Sequence, residues 1–275
     1  MLCISNNEME YDMKTEKRTA LVTGASSGIG RAFAHRLAQT GYDLIVVARR
    51  QDRLDQIASS YPQVDVRSIV ADLGTSRGIE AVVEVCEESD LDLLVNNAGV
   101  AHYMPFVDLP AEKANELMHV KVMAPTLLAR AAARRMVQRR SGAIINVAGM
   151  LAFSGPATLE KLPLRRAVYI ASLAYEVAIS QALSEELKPA GVHVQVVCPG
   201  VVATEFHERQ GLDMSKVPRM SAEDVVAASL KGLERGEVVC APGVERSDLL
   251  QAVFSAELSV FGAQSPVLAT RYQQN

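Results

Sequence analysis

An α/β fold, a doubly wound parallel sheet in one domain, is predicted by three observations. Short apolar runs alternate with longer stretches of helical spacing, those runs are unbroken, and a glycine-rich turn joins the first run to the first helix. A strand covered by helices on both faces reads as continuous Val, Ile and Leu. Right-handed crossovers then wind such units onto both faces of one sheet.

In chain order, residues 19–22 form the first apolar run, and Ile29, Phe33 and Leu37 place one apolar stripe on a helix over 29–38. Strand-like runs follow at 44–47, 66–70, 91–95, 143–147, 192–197 and 238–240. Helical patterns lie between them at 54–58, 79–86, 111–137, 168–187 and 222–233. No repeat or Pro/Gly-rich linker divides the chain, so 18–245 is read as one domain, with a polar leader over 1–17 and a helical extension over 246–275. In that extension, Leu249, Leu250, Val253 and Phe254 recur at helical intervals. They fit either a helix packed on the domain or a dimer or substrate-capping surface.

The bulk properties narrow the function. Of 275 residues, 49% are hydrophobic and 22% charged, enough for a full core. A net charge of -4 gives no electrostatic case for nucleic acid or an anionic membrane. The four cysteines, Cys3, Cys86, Cys198 and Cys240, lack C-x-x-C spacing, so neither a zinc site nor a disulfide framework is expected. The leader carries Glu8, Glu10, Asp12 and Glu16 and no apolar core, which argues against a signal peptide. No apolar run approaches the roughly 20 residues that span a bilayer. A cytoplasmic location is expected.

The strongest motif is Thr23-Gly24-Ala25-Ser26-Ser27-Gly28-Ile29-Gly30. It follows a strand and opens a helix, the context in which a glycine fingerprint holds a dinucleotide. Gly24 permits the tight turn, Gly28 lets the backbone approach a pyrophosphate, and Gly30 lets helix and strand pack closely. Amides at the helix start, in the turn of Ser26, Ser27 and Ile29, then face the phosphates.

The T-G-x-x-x-G-x-G spacing resembles that of the short-chain dehydrogenase/reductase family, and further family marks appear in order over residues 18–245. Ala71-Asp72-Leu73 follows the third strand, Asn96-Asn97-Ala98-Gly99 ends the fourth, and Pro199-Gly200 ends the sixth with Val202 and Thr204 just beyond. The resemblance implies a Rossmann-type fold. It places Asp72 and Leu73 at the adenine, Asn97, Ala98 and Gly99 along the cofactor, and Pro199, Gly200, Val202 and Thr204 near the nicotinamide. Where NAD sites carry an acidic residue after the second strand, this chain has Arg49 and Arg50. Guanidiniums suit a 2′-phosphate, so NADP(H) is the expected cofactor; the alternative is that both arginines are solvated.

The resemblance also implies catalysis by Tyr, Lys and Ser, supported by Asn. Tyr169 matches the tyrosine of Y-x-A-S-K, but the lysine position is Leu173, the serine position Gly149 and the asparagine position Lys121. A Tyr with a pKa of about 10 needs a nearby cation to work at neutral pH. Two rescues are open: Lys121 reaching toward Tyr169, or Lys161, Arg165 or Arg166 folding in from the long 150–168 loop. Otherwise Lys121 points to solvent or forms a surface ion pair. Tyr169 and Lys121 are the candidate catalytic residues. His102, Tyr103 and Met104 are expected on the substrate side. Glu205, His207 and Glu208 resemble metal ligands but read better as a surface loop, and no metal is expected.

The function so implied is an NADP(H)-dependent oxidoreductase acting on a small carbonyl or alcohol through a non-standard site. A non-redox isomerase, cyclase or lyase, and a non-catalytic NADP(H)-binding protein, remain alternatives. The family's pairing of helices implies a homodimer or homotetramer.

Overall fold

The computed structural model describes residues 17–154 and 165–273. The leader up to residue 16, and most of the long loop including Lys161, lie outside the described residues. The strands are β1 (Arg18–Thr23), β2 (Tyr42–Ala48), β3 (Val66–Val70), β4 (Leu93–Asn96), β5 (Gly142–Val147), β6 (Val192–Val197) and β7 (Val239–Cys240). They form one seven-stranded sheet in the order β3-β2-β1-β4-β5-β6-β7, and every pairing is parallel. The helices are α1 (Gly28–Gln39), α2 (Gln51–Ser60), α3 (Ser76–Glu88), α4 (Ala111–Met118), α5 (Ala124–Arg139), α6 (Ala167–Leu187), α7 (Ala222–Glu234) and α8 (Ser247–Gly262). This is the doubly wound Rossmann-type architecture.

The period-2 alternation of strands sorts the core. Ala20, Val22 and Val46 face Phe33 and Leu37 of α1, Leu54 and Ile57 of α2, and Val225 and Val226 of α7. Leu21, Val47, Leu94 and Ile144 face the other way, onto Ile79 and Val82 of α3 and Leu128 of α5. Because the strand order reverses between β1 and β4, their carboxyl ends diverge and leave a crevice, the usual place for a ligand in such sheets.

The helix predicted over 111–137 is interrupted. A wide π-turn at His119–Met123 separates α4 from α5. Its cause is Pro125 in the first turn of α5. Proline has no N–H to give the carbonyl four residues back, that of Lys121, and its ring crowds that carbonyl. The π-turn, a device common at functional sites, buries both Val120 and Lys121.

Helix α6 is apolar on nearly every side. With the turn that follows, residues 167–190 are long and apolar enough to cross a membrane by length and composition, contrary to the expectation that no stretch is. Its inner face nevertheless packs Tyr169, Leu173 and Val177 against Val196 and Cys198. Its outer face exposes Ala167, Ala171, Ala174, Ala178 and Ala182. Helix α8 contains no buried residue and touches the domain through Phe254, whose ring lies 6.3 Å from that of Phe153.

Candidate active site

A cleft of about 710 Å³ opens at the carboxyl ends of the strands. At one end Thr23 organises the floor. Its hydroxyl donates to the Val95 carbonyl (3.3 Å) and accepts from the amides of Asn97 (2.9 Å) and Ala98 (3.0 Å). Asn97 Nδ2 returns a bond to the Thr23 carbonyl at 2.9 Å. Gly24 has φ +67°, which suits glycine, and a Cβ there would stand 2.9 Å from Ala98 Cα. A Cβ on Gly30 would stand 2.4 Å from the Gly24 carbonyl oxygen. The first helix turn thus sits directly on the strand end. Ser27 makes no side-chain cap to α1, and the first turn holds no acidic residue. Its amides are therefore open to an anion. This cradle fits a dinucleotide pyrophosphate.

The arginine pair after β2 divides in two. Arg50 turns inward, its Nη2 donating to Ser26 Oγ at 2.9 Å. Arg49 is largely exposed and lies 3.9 Å from Glu116. Glu205, from the segment after β6, takes Arg53 at 2.7 Å and Arg50 at 3.5 Å and also pairs with Arg209. The Arg53 hydrogen bond, followed by Arg209, holds its carboxyl down at about 2.

At the other end stands Tyr169, buried in a third apolar cluster with Ala148, Leu173 and Cys198. Its ring lies between Tyr103, edge-on at 5.8 Å, and Phe206 at 6.3 Å. Burial, with Tyr103 and Glu176 adding repulsion, pushes the Tyr169 phenol well above its usual range. Burial also lifts Tyr103 to about 12.

Lys121 lines the cleft beside Gly99, but it is not directed at Tyr169. Its Nζ donates to the Val147 carbonyl at 2.9 Å and lies 2.9 Å from Glu176 Oε2. Among the described residues the Tyr169 hydroxyl has no recorded hydrogen bond. Lys121 is thus held in a buried ion pair on the Tyr169 side of the cleft, with no hydrogen bond to the Tyr169 hydroxyl, rather than at the surface. Burial raises the Glu176 carboxyl to about 7 despite Lys121. Of the long-loop cations, Arg166 is buried at the start of α6, where its charge acts on Tyr103.

The other residues singled out from sequence converge well. Gly24, Ser26, Ser27, Gly28, Ile29, Arg49, Arg50, Asp72, Leu73, Asn97, Ala98, Gly99, Pro199, Gly200, Val202 and Thr204 all line this cleft, together with Tyr103. Gly30 lies behind it, in its packing role. His102 instead pairs with Glu116 at 2.9 Å, and Met104 is not part of the lining. Apolar wall residues Met150, Leu151, Phe206 and Met214 carried no pattern by which sequence could find them. Glu176 did carry one: an acidic residue seven positions past Tyr169, on the same face of an apolar helix.

Residues 18–215 match the short chain dehydrogenase family, and the chain belongs to it. A very-long-chain 3-oxoacyl-CoA reductase-like protein of Arabidopsis thaliana is 33% identical over 193 residues, covering 68% of this chain and 60% of that protein. The chain spans 58% to 63% of the length of the first curated relatives it matches. A short-chain dehydrogenase from Sphingobium yanoikuyae in complex with NADPH superposes with a TM-score of 0.87 at 35% identity, over 93% of this chain and 100% of that one. A bulky-bulky ketone specific alcohol dehydrogenase from Comamonas testosteroni gives a TM-score of 0.83 at 31% identity, over 94% and 99%.

Proposed function

We propose that the protein is an NADP(H)-dependent oxidoreductase that reduces an apolar carbonyl compound through a rearranged active site. One observation carries this reading. A phosphate cradle flanked by Arg50 and an aromatic pocket around Tyr169 are two ends of the same cleft. The Thr23–Asn97 floor and the open start of α1 would hold the pyrophosphate. Arg50, with Arg49 at the rim, would take the 2′-phosphate. When bound, the nicotinamide supplies the hydride.

This chain's own residues then handle the proton and the substrate. Tyr169, held as a neutral phenol, donates a proton to the carbonyl oxygen. Tyr103, Phe206, Met150 and Leu151 enclose an apolar substituent and exclude water. Lys121 is the cation at this end of the cleft, fixed there by Glu176 and Val147. A ketone with bulky groups suits these walls, in keeping with the bulky-bulky ketone specificity of the Comamonas testosteroni enzyme. The reading includes a homodimer or homotetramer formed through α5 and α6, supported by the exposed alanine stripe of α6.

The test follows NADPH absorbance with a panel of apolar ketones. Oxidation of NADPH that is lost in Tyr169→Phe supports the reading. Substrate turnover without net NADPH consumption points instead to non-redox chemistry. The absence of a serine hydroxyl at Gly149 and of an ammonium at Leu173 favours a second reading, a cofactor-binding protein without turnover. Tight NADPH binding with no reaction across the panel would establish that one.

A further inference from the structure

We propose that Glu205 is a cofactor clasp. Its carboxylate ties the segment after β6 to the arginines of the β2–α2 corner, across the mouth of the phosphate cradle, and it carries Arg209 over the pyrophosphate position. This rests on the NADP(H) reading above and adds the residue that holds the cofactor in.

The geometry is that of a bridge between walls distant in sequence. Glu205 Oε1 accepts from Arg53 at 2.7 Å, across 152 residues. Its other oxygen lies 3.5 Å from Arg50 and pairs with Arg209. Arg209 Nη2 in turn donates to Ser27 Oγ at 3.3 Å, across 182 residues. The preceding Thr204 reaches back as well, its methyl 3.0 Å from where a Cβ on Gly28 would stand. Residues 204 to 209 thus form a roof over Ser26, Ser27 and Gly28, the turn that faces the phosphates.

The charges agree with this role. Three guanidiniums surround one carboxylate, so Glu205 holds the arginines in place without neutralising them. Arg50 stays free to meet a 2′-phosphate, and Arg209, set on Ser27, is the charge that pyrophosphate oxygens beneath the roof would meet. The side chains are about one-third exposed, so the cluster adds little to folding. Variants of it will fold, and its effect will fall on cofactor exchange, because loosening a segment that covers a bound ligand acts mainly on the off-rate.

The experiment loads the full-length protein with NADPH, chases with excess NADP, and follows loss of the bound reduced-nicotinamide fluorescence by stopped flow. Glu205→Gln and Arg53→Gln should each release NADPH about five- to tenfold faster. The double variant should be no faster than Glu205→Gln alone, since Arg53 acts through that carboxylate. NADH should be released faster by a similar factor, because the clasp acts on the pyrophosphate end common to both nucleotides. Release rates within about twofold of the parent would overturn the proposal. So would tighter NADPH binding by Glu205→Gln, which would mean that the carboxylate competes with phosphate. A parent protein that binds no NADPH removes the cofactor reading itself, a result distinct from bound cofactor that leaves without regard to Glu205.

Discussion

Lys121 Nζ stands 2.9 Å from Glu176 Oε2, with only 4% and 2% of the two side chains exposed. Desolvating both ions offsets most of their attraction, so such a pair need not stabilise the fold, but removing one member leaves an uncompensated charge. Lys121→Met, which leaves the buried carboxylate without its cation, is expected to cost ~3–5 kcal/mol in urea unfolding at pH 8, where Glu176 is ionised. Lys121→Met combined with Glu176→Leu should recover most of that loss. If Lys121→Met unfolds at the parent midpoint at that pH, the pair is not charged in the folded protein.

The same carboxyl gives stability a pH dependence of definite sign. Burial raises Glu176 from 4.5 to about 7. A group bound more tightly to its proton in the folded state contributes stability that is full below its unfolded pKa and lost as pH rises through the folded one. The parent should therefore lose stability between about pH 4.5 and pH 7, relative to the Lys121→Met/Glu176→Leu variant. Unfolding midpoints of both proteins across this window check the sign. A parent that gains on the variant as pH rises contradicts it.

Tyr169 sets the pH dependence of turnover. Its phenol is held well above the ordinary range by burial, Tyr103 and Glu176, so it is a proton donor across the neutral range and a poor base. Carbonyl reduction should be flat from pH 6 to 9. Alcohol oxidation, which needs the phenolate, should be slow at pH 7 and still rising at the highest pH the protein tolerates. Tyr169→Phe should lower kcat/KM for reduction by ~10²–10⁴, the range for a general acid. Retained activity in that variant would place proton transfer elsewhere.

The fold and the glycine turn at the start of α1 were legible because they rest on local rules. Unbroken apolar strands need helices on both faces, and Gly24 and Gly30 occupy positions where a Cβ collides with Ala98 or the Gly24 carbonyl. The catalytic end was legible only as a set of departures. What replaces the missing groups depends on contacts between distant elements. Pro125 opens the π-turn that swings Lys121 inward, and Glu176 receives it from another helix. The Arg50–Ser26 bond was foreshadowed by the arginine pair after β2. Which of the two arginines turns inward was not, because adjacent residues leaving a strand point in opposite directions.

That division predicts unequal roles for the pair. Arg50 is oriented by Ser26 within the cradle, whereas Arg49 is exposed and only loosely placed by Glu116. Arg50→Gln should weaken NADPH binding about 10- to 100-fold, the worth of a hydrogen bond to a charged group, and leave NADH affinity nearly unchanged. Arg49→Gln should cost less, because an exposed, screened charge contributes little. Fluorescence titrations with both nucleotides decide the matter. An equal loss for NADPH and NADH in Arg50→Gln would show that this arginine serves the pyrophosphate instead.

Gly149 offers a gain of function. Its φ of 173° is extended backbone that any residue adopts. Among the described residues a Cβ there would meet only Leu173 Cδ1 at 3.6 Å and the Pro199 carbonyl oxygen at 3.7 Å, ordinary contacts. Gly149→Ser should therefore fold with stability within about 0.5 kcal/mol of the parent. The new hydroxyl would stand in the cleft wall on the Tyr169 side, able to donate to a carbonyl oxygen. A donor placed where negative charge develops is worth about 10²–10³ in kcat when preorganised. A rise of about tenfold or more in NADPH-dependent ketone reduction is expected from a serine not yet tuned to its surroundings. Should Gly149→Ser fold normally and leave reduction unchanged, the substrate carbonyl does not sit beside Tyr169, and the chemistry assigned to this end of the cleft is wrong.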